Sequence, residues 1–317
     1  MSEFVTIGET CAVFAARYIG RMRYCSEYEI RPGGSESTVA VGVFRLGHSA
    51  AWVSRVGDDE LGHYVLSFVR SEGVDVSAVS VTAERPTGLF VRERLPRGKA
   101  RHFYYRERSA FSTLGPHDLP RELISGARLL HLTGITPALS ESNRLMVEEA
   151  VALAKRSSVT VTFDPNMRRR LWTGSRARSV LEPLMAAADY VLPGLEDMQG
   201  LYGGDMNEAQ AVRTLKEIGC SRIILKLGPR GALVVTGDKE TLVEGRPIAD
   251  PVDLMGAGDA FAAGFIHGVL QGNDETQAAA LGNAVAAISI ETPGNIESLP
   301  TVQEVEDRNA GRARIER

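Results

Sequence analysis

Hydrophobic and polar positions change their spacing in a regular order from about residue 120 onward. Short apolar runs, typical of buried strands, alternate with longer segments in which apolar residues recur every three or four positions. The predicted strands are residues 128–132, 159–163, 190–192 and 223–227, and the predicted helices between them are 141–155, 176–188 and 208–218. Because strand and helix alternate, the pattern predicts a doubly wound, mainly parallel α/β sheet flanked by helices.

Two aromatic and basic stretches, residues 11–30 and 87–108, interrupt this order. Within the second, residues 87–92 and 101–106 flank Pro96-Arg97-Gly98-Lys99, which predicts a β-ribbon around a turn. Because both stretches lie outside the alternating series, we expect a small β-sheet that projects over the main sheet as a lid. The chain from 1 to 317 is otherwise expected to form one domain.

Composition limits the partners of such a domain. The chain has 36 Lys+Arg against 40 Asp+Glu and a net charge of -4, so nothing draws it as a whole to nucleic acid or anionic membrane. The N-terminus resembles no signal peptide and no stretch is apolar enough to span a membrane, which predicts a cytoplasmic protein. Cys11, Cys25 and Cys220 follow no metal-site or disulfide spacing.

The strongest chemical signal is Gly256-Ala257-Gly258-Asp259, a glycine-rich turn that leads into an alanine-rich helical pattern. Small residues admit a ligand close to the backbone, and N–H groups at a helix N-terminus suit a phosphoryl group. Asp259 could then accept the proton of a hydroxyl while these amides stabilise the transferred phosphoryl group. A capped helix is the alternative, and the motif alone favours it. GxxxxGK[ST] is absent, which excludes the P-loop kinases.

A second segment, Gly33-Gly34-Ser35-Glu36-Ser37, changes that balance. With the later GAGD segment in the same order, it resembles the ribokinase-like carbohydrate kinases of the phosphofructokinase B type over nearly the full length. The resemblance implies a kinase that uses ATP and Mg²⁺ and closes a β lid over a small sugar. That lid often supplies a dimer contact, so a homodimer or higher homo-oligomer stays open.

The resemblance also implies roles for residues near the nucleotide. It makes Asp259 the catalytic base, and the backbone of Gly256, Ala257 and Gly258 the anion hole. The turn after residues 223–227 resembles the family's turn beside the ATP phosphates; the residues implied for ATP are Lys226, Gly228, Gly231, Gly256, Gly258 and Asn283. The alternative for this turn is a simple hairpin to a strand at residues 232–236.

Within the family, the chain is most similar to the 2-keto-3-deoxygluconate kinases. Residues 33–37 resemble their GGAES, residues 103–106 their YYR, and residues 164–168 their D-x-N-x-R. A keto acid carries a carboxylate, which Arg106 and Arg168 could bind. The other residues implied for the substrate are Gly33, Gly34, Phe90, Tyr104, Asp259 and Asn295. Alternatively, residues 168–170 are a solvated basic run and the aromatics are lid core.

Several positions depart from the family pattern. Thr38 replaces an asparagine that often contacts a sugar hydroxyl, and Leu254-Met255 precede GAGD after an acidic Asp253, which leaves activation by a monovalent cation open. Gly194 begins a segment where relatives have N-x-x-E, so Glu196 or Asp197 would hold the metal through water. Kinases of 5-keto-2-deoxygluconate, fructose or a ribokinase-type sugar, and a non-catalytic sugar- or nucleotide-binding homologue, remain the alternatives.

Overall fold

The computed structural model describes residues 2–96 and 100–310. The strands in these ranges are β1 (Phe4–Ile7), β2 (Cys11–Ile19), β3 (Tyr28–Gly33), β4 (Ala50–Gly57), β5 (Val79–Thr82), β6 (Leu89–Arg94), β7 (Ala100–Tyr105), β8 (Leu129–Thr133), β9 (Thr160–Asp164), β10 (Tyr190–Val191), β11 (Arg222–Lys226), β12 (Gly231–Thr236) and β13 (Lys239–Glu244). The helices are α1 (Ser35–Arg45), α2 (Glu60–Ser71), α3 (Arg121–Ser125), α4 (Thr136–Leu139), α5 (Glu141–Arg156), α6 (Gly174–Ala187), α7 (Leu195–Tyr202), α8 (Glu208–Glu217), α9 (Ala257–Leu270), α10 (Glu275–Ser289) and α11 (Val302–Asn309).

Nine strands form the large sheet, in the order β13-β12-β11-β10-β9-β8-β1-β4-β5. All neighbouring strands from β11 to β5 pair in parallel, which confirms the predicted fold. The first and last residues of each predicted strand and helix lie within two residues of those observed. The alternation ends at β11, because β12 and β13 return antiparallel at one edge. The turn after β11 is therefore a hairpin to β12, and its position beside the ATP phosphates stays a prediction.

Apolar side chains of the parallel strands face both sides of the sheet, as expected when helices cover both faces. On β11, Ile223 and Leu225 belong to one core and Ile224 to the other. Helices α3 and α5 to α8 contribute to the first core; α1, α2 and α9 to α11 contribute to the second. The described part of the chain contains no helix long and apolar enough to cross a membrane.

The small sheet has the strand order β3-β2-β6-β7 and is built from the two predicted lid stretches. Strands β6 and β7 pair antiparallel from Leu89 opposite Tyr105 to Arg94 opposite Ala100, which confirms the ribbon. The turn residues Arg97, Gly98 and Lys99 lie outside the described residues, as do residues 311–317. Strand β2 joins the two stretches by pairing parallel to β6.

Candidate active site

A cavity of about 1020 Å³ lies at the carboxyl ends of the parallel strands, where ligands bind in open α/β sheets. The small sheet covers part of it. Its lining includes the predicted residues Gly33, Gly34, Phe90, Tyr104, Arg106, Arg168, Glu196, Asp197, Lys226, Gly228, Gly256, Gly258, Asp259 and Asn295. Residues from distant parts of the sequence are thus brought to one site.

The Gly256–Asp259 turn begins helix α9 with Gly256 as its N-cap in the left-handed region, at φ 82°. A Cβ at Gly256 would lie 2.8 Å from the Asn295 Cβ, so both conformation and space require glycine here. The N–H of Ala257 donates to the Leu254 carbonyl at 3.4 Å, and Ala257 does not line the cavity. The first-turn N–H groups of Gly258 and Asp259 have no partner within the helix, which makes them the amides available to an anion.

The Asp259 carboxylate lies in this cavity in contact with α1. Its Oδ1 accepts a hydrogen bond from Ser35 Oγ at 2.5 Å, and Ser35 Oγ accepts one from Asn166 Nδ2 at 2.9 Å. Burial raises the pKa of Asp259 to about 7, while the Ser35 hydroxyl and the Arg168 charge oppose the rise. Its carboxyl therefore titrates near neutrality, which is the range that suits a general base.

Lys226 extends from the end of β11 toward the same turn. Its Nζ donates to Asp164 Oδ2 at 2.6 Å, and a Cβ placed on Gly258 would lie 3.7 Å from that Nζ. Burial opposes its charge, yet the carboxylates of Asp164 and Asp197 outweigh burial and raise the pKa of Lys226. A permanent positive charge therefore lies beside the free amides of α9, where a transferred phosphoryl group would gain from it.

The two arginines predicted to bind a substrate carboxylate differ in their surroundings. Arg106 is held by Glu9, whose Oε2 accepts from Arg106 Nε at 2.6 Å and from Nη2 at 2.5 Å. The Arg168 guanidinium is exposed to the cavity and forms no hydrogen bond or ion pair with any described residue; only the backbone carbonyl of Arg168 accepts hydrogen bonds, from the N–H groups of Leu171 and Trp172. Of the two, Arg168 has the free guanidinium.

Aromatic and glycine residues form the wall on the side of the small sheet. Phe90 and Tyr104 lie with ring centroids 5.1 Å apart, and the Arg106 guanidinium carbon lies 5.9 Å from the Tyr104 centroid. A Cβ on Gly33 would lie 3.0 Å from the Phe90 ring, and one on Gly34 would lie 2.6 Å from the Glu9 carbonyl oxygen. Both glycines therefore allow close packing at this wall.

Three predicted residues do not line the cavity: Ala257, Gly231 and Asn283. The Asn283 amide donates to the carbonyls of Val243 and Glu244, which ties α10 to the end of β13. Gly231 adopts φ 100° in the hairpin, where a Cβ would lie 2.1 Å from the Val243 oxygen. Thr38 is likewise buried; it donates to the Gly34 carbonyl and accepts from Asn295 Nδ2 at 2.9 Å.

The predicted metal candidates differ in availability. Asp197 Oδ2 accepts from the Gly194 N–H and Oδ1 from the Met167 N–H, so this carboxylate caps α7. The Glu196 carboxylate is exposed to the cavity and has no hydrogen bond or ion pair within the described ranges. No group of three or more His, Cys, Asp or Glu among the described residues could hold a metal ion by itself. Glu196 thus fits a Mg²⁺ that arrives with nucleotide phosphates and keeps most of its waters.

Sequence reasoning missed several residues that complete the site: Glu9, Ser35, Arg92, Asp164 and Asn166. The family segments that were recognised contain Ser35, Asp164 and Asn166, but only their neighbours received roles. Arg92 binds Asp253 through two hydrogen bonds of 2.9 and 2.8 Å, joining β6 to the loop before α9. For Glu9 and Arg92 the sequence carries no signal, because each is recognised only through a distant partner.

The cavity combines a carboxyl group whose pKa is near 7, helix N–H groups without partners and a lysine. Together these groups define a phosphotransferase that acts on a hydroxyl. Comparison with known proteins identifies the family: residues 1–302 match the model of the pfkB family carbohydrate kinases, and the chain belongs to that family. It is an ATP-dependent carbohydrate kinase.

Among curated proteins, the chain is 38% identical to a 2-dehydro-3-deoxygluconokinase of Bacillus subtilis over 94% of this chain and 93% of the relative. A protein of the same name from Thermoproteus tenax is 36% identical over 97% and 94%. A 5-dehydro-2-deoxygluconokinase of Shouchella clausii is 27% identical over 96% and 94%.

Solved structures resemble the whole fold. A PfkB protein from Polaromonas has a TM-score of 0.87 and 31% identity, covering 96% of this chain and 99% of that one. An E. coli chain solved in complex with ATP and Mg²⁺ has a TM-score of 0.89 at 24% identity, covering 98% and 100%. The second likeness concerns the fold alone.

Proposed function

We propose that this kinase phosphorylates a small keto sugar acid, with 2-keto-3-deoxygluconate, converted to its 6-phosphate, as the first candidate. The observation that carries the proposal is the free guanidinium of Arg168 in the same cavity as Asp259. The geometry of such a fork of donors matches a carboxylate. The relatives named 2-dehydro-3-deoxygluconokinase support the same substrate.

In the proposed reaction, Asp259 accepts the proton of the acceptor hydroxyl as its oxygen attacks the γ-phosphorus of ATP. The bond from the γ-phosphorus to the bridging oxygen breaks, and ADP leaves. The N–H groups of Gly258 and Asp259, together with Lys226, stabilise the charge on the transferred group. Mg²⁺ accompanies ATP as part of the substrate, and Glu196 would hold it through a water molecule.

The lining suggests which parts of the acid are recognised. Arg168 binds the carboxylate, and Phe90 and Tyr104 face the carbon chain from the small sheet. Arg106 contributes less charge than the sequence suggests, because Glu9 already neutralises it. Its role is then to hold Tyr104 and Glu9 in place.

The test is ATP turnover by wild-type enzyme, Asp259→Asn and Arg168→Ala, with keto sugar acids and with uncharged sugars such as fructose. We expect wild type to prefer the acids and Asp259→Asn to lose turnover. Loss of a hydrogen-bonded charge is worth about 1.5–3 kcal/mol, so Arg168→Ala should raise KM for the acid about 10- to 100-fold and leave KM for ATP nearly unchanged.

Arg156→Ala is the matched control, since this arginine pairs with Glu149 on the surface away from the cavity. Equal effects of Arg168→Ala on acid and ATP would remove the carboxylate assignment. The second candidate substrate is 5-keto-2-deoxygluconate, which the relative named 5-dehydro-2-deoxygluconokinase supports. Faster turnover of this acid than of 2-keto-3-deoxygluconate would favour it.

A further inference from the structure

Ser35 is the first residue of α1 and contacts the carboxylate of Asp259, which is 224 positions away in the sequence. In the GGAES segment that residues 33–37 resemble, this position is an alanine, which has no hydroxyl. The contact therefore belongs to this chain rather than to that pattern. It is the one hydrogen bond that the Asp259 side chain forms within the described residues.

The donors fix the direction of this bond. Asn166 Nδ2 lies 2.9 Å from Ser35 Oγ, and because an amide nitrogen can only donate, the hydroxyl accepts there. Its single proton is then directed to Asp259 Oδ1 at 2.5 Å. Asn166 is itself held, since its N–H donates to Asp164 Oδ1 at 3.0 Å. The chain from Asn166 to Ser35 to Asp259 is thus ordered from one end to the other.

We propose that Ser35 is a positioning residue for phosphoryl transfer: its hydroxyl fixes the Asp259 carboxylate through Oδ1 and leaves Oδ2 to take the proton of the acceptor hydroxyl. The inference rests on the proposed role of Asp259 as the base. A base with one oxygen anchored presents the other in a single orientation, which favours proton transfer.

Electrostatics add a second consequence. Burial raises the pKa of Asp259 to about 7, and of the groups that face it, Ser35, Arg168 and Lys226 oppose the rise while Asp164 adds to it. Without the Ser35 hydroxyl we expect the pKa to increase further, by about one pH unit, which is a tenfold change in the ionisation constant. At pH 7 the ionised fraction would fall from about one half to about one tenth, a roughly fivefold loss of active base.

Two variants separate positioning from simple packing. Ser35→Ala installs the residue of the GGAES pattern, which α1 should accommodate. Ser37→Ala is the matched control: this serine lies on the same helix, is also buried and donates to the Gly34 carbonyl, but it does not touch Asp259. Enzyme labelled with ¹³C at the aspartate carboxyl reports the titration directly, and the resonance absent from Asp259→Asn assigns Asp259.

We expect the Asp259 resonance to titrate about one pH unit higher in Ser35→Ala than in wild type, and unchanged in Ser37→Ala. The acidic limb of kcat/KM for 2-keto-3-deoxygluconate should move by the same amount. An unshifted resonance, or a kcat/KM profile that superimposes on wild type or falls equally at every pH, overturns the inference. If Asp259→Asn keeps full turnover, the assignment of Asp259 as the base fails. This failure can be told apart from a failure of the Ser35 inference, because the Asp259 resonance is measured without substrate and does not depend on turnover.

Discussion

Replacement of Asp259 by asparagine is predicted to abolish turnover and at the same time stabilise the fold. Burial raises the pKa of this carboxyl from its ordinary value of 3.8 to about 7, so the ionised base is disfavoured in the folded protein. Asparagine has nearly the same shape, and its Oδ1 can still accept the Ser35 hydrogen bond. The substitution therefore removes only the negative charge, whose burial in the cavity destabilises the folded protein.

The magnitude follows from linkage between protonation and folding. The rise of about three pH units corresponds, at about 1.4 kcal/mol each, to at most about 4 kcal/mol. Because the carboxylate faces a water-accessible cavity, we expect about half of that limit. Between pH 3.8 and about 7 the folded protein binds a proton that the unfolded chain has released, so wild-type stability from this group is lost as pH rises through that window.

Urea unfolding of wild type and Asp259→Asn between pH 4 and 8.5 measures the effect. The free energy of unfolding of the variant should match wild type near pH 4 and exceed it by about 2 kcal/mol above pH 7. Other titrating groups cancel in the difference. Asp238→Asn, at an exposed position between β12 and β13, is the control for the replacement of an aspartate by asparagine outside the cavity. A difference for Asp259→Asn that is flat, or that falls as pH rises, would refute the reasoning.

Three further outcomes are expected. Gly256→Ala should lower the free energy of unfolding, measured in urea, by about 1–3 kcal/mol and abolish turnover. The reason is that φ at this position is 82° and that a Cβ would lie 2.8 Å from the Asn295 Cβ. A variant as stable as wild type would contradict this. Turnover should stay the same when potassium chloride replaces tetramethylammonium chloride, because Arg92 already binds both oxygens of Asp253; activation by potassium would be the opposite result. Burial and His48 lower the pKa of His267 to about 4, so stability should fall as pH drops from 6.5 toward 4, and His267→Gln should flatten that part of the profile, as followed by thermal unfolding.

Local patterns in the sequence were sufficient for the large sheet because its strands are short, apolar and separated by periodic helices. They did not reveal that β2 would pair parallel to β6, since that contact joins segments about 75 positions apart and leaves no periodic signal. The strands β1, β4 and β5 were not predicted either. They complete the sheet beside β8 and carry Glu9 to the rim of the cavity.

The individual signatures of the site were also visible, but the contacts between them were not. The GAGD turn stood out by its glycines and the helical pattern after it, and the double glycine and residues 164–168 stood out by their resemblance to segments of the family. That Ser35, Asn166 and Asp259 form one hydrogen-bonded chain depends on how α1, α9 and the end of β9 meet, which no local pattern encodes. Asn283 shows the converse, because the resemblance assigned it to the nucleotide while the structure uses its amide to hold β13.

Some charged side chains around the cavity form ion pairs and others do not, and the unpaired ones indicate which charges a ligand could carry. Glu9, Asp164 and Asp253 are each matched by a basic side chain, so they need no ligand. No described residue pairs with the guanidinium groups of Arg168 and Arg169, and none pairs with the carboxylate of Glu196. An exposed guanidinium in a cavity suits an anionic group of a ligand, and an exposed carboxylate suits a cation. Arg106 and Arg168 look alike in the sequence, and only the position of Glu9 distinguishes the arginine that is already neutralised from the one whose guanidinium is unpaired.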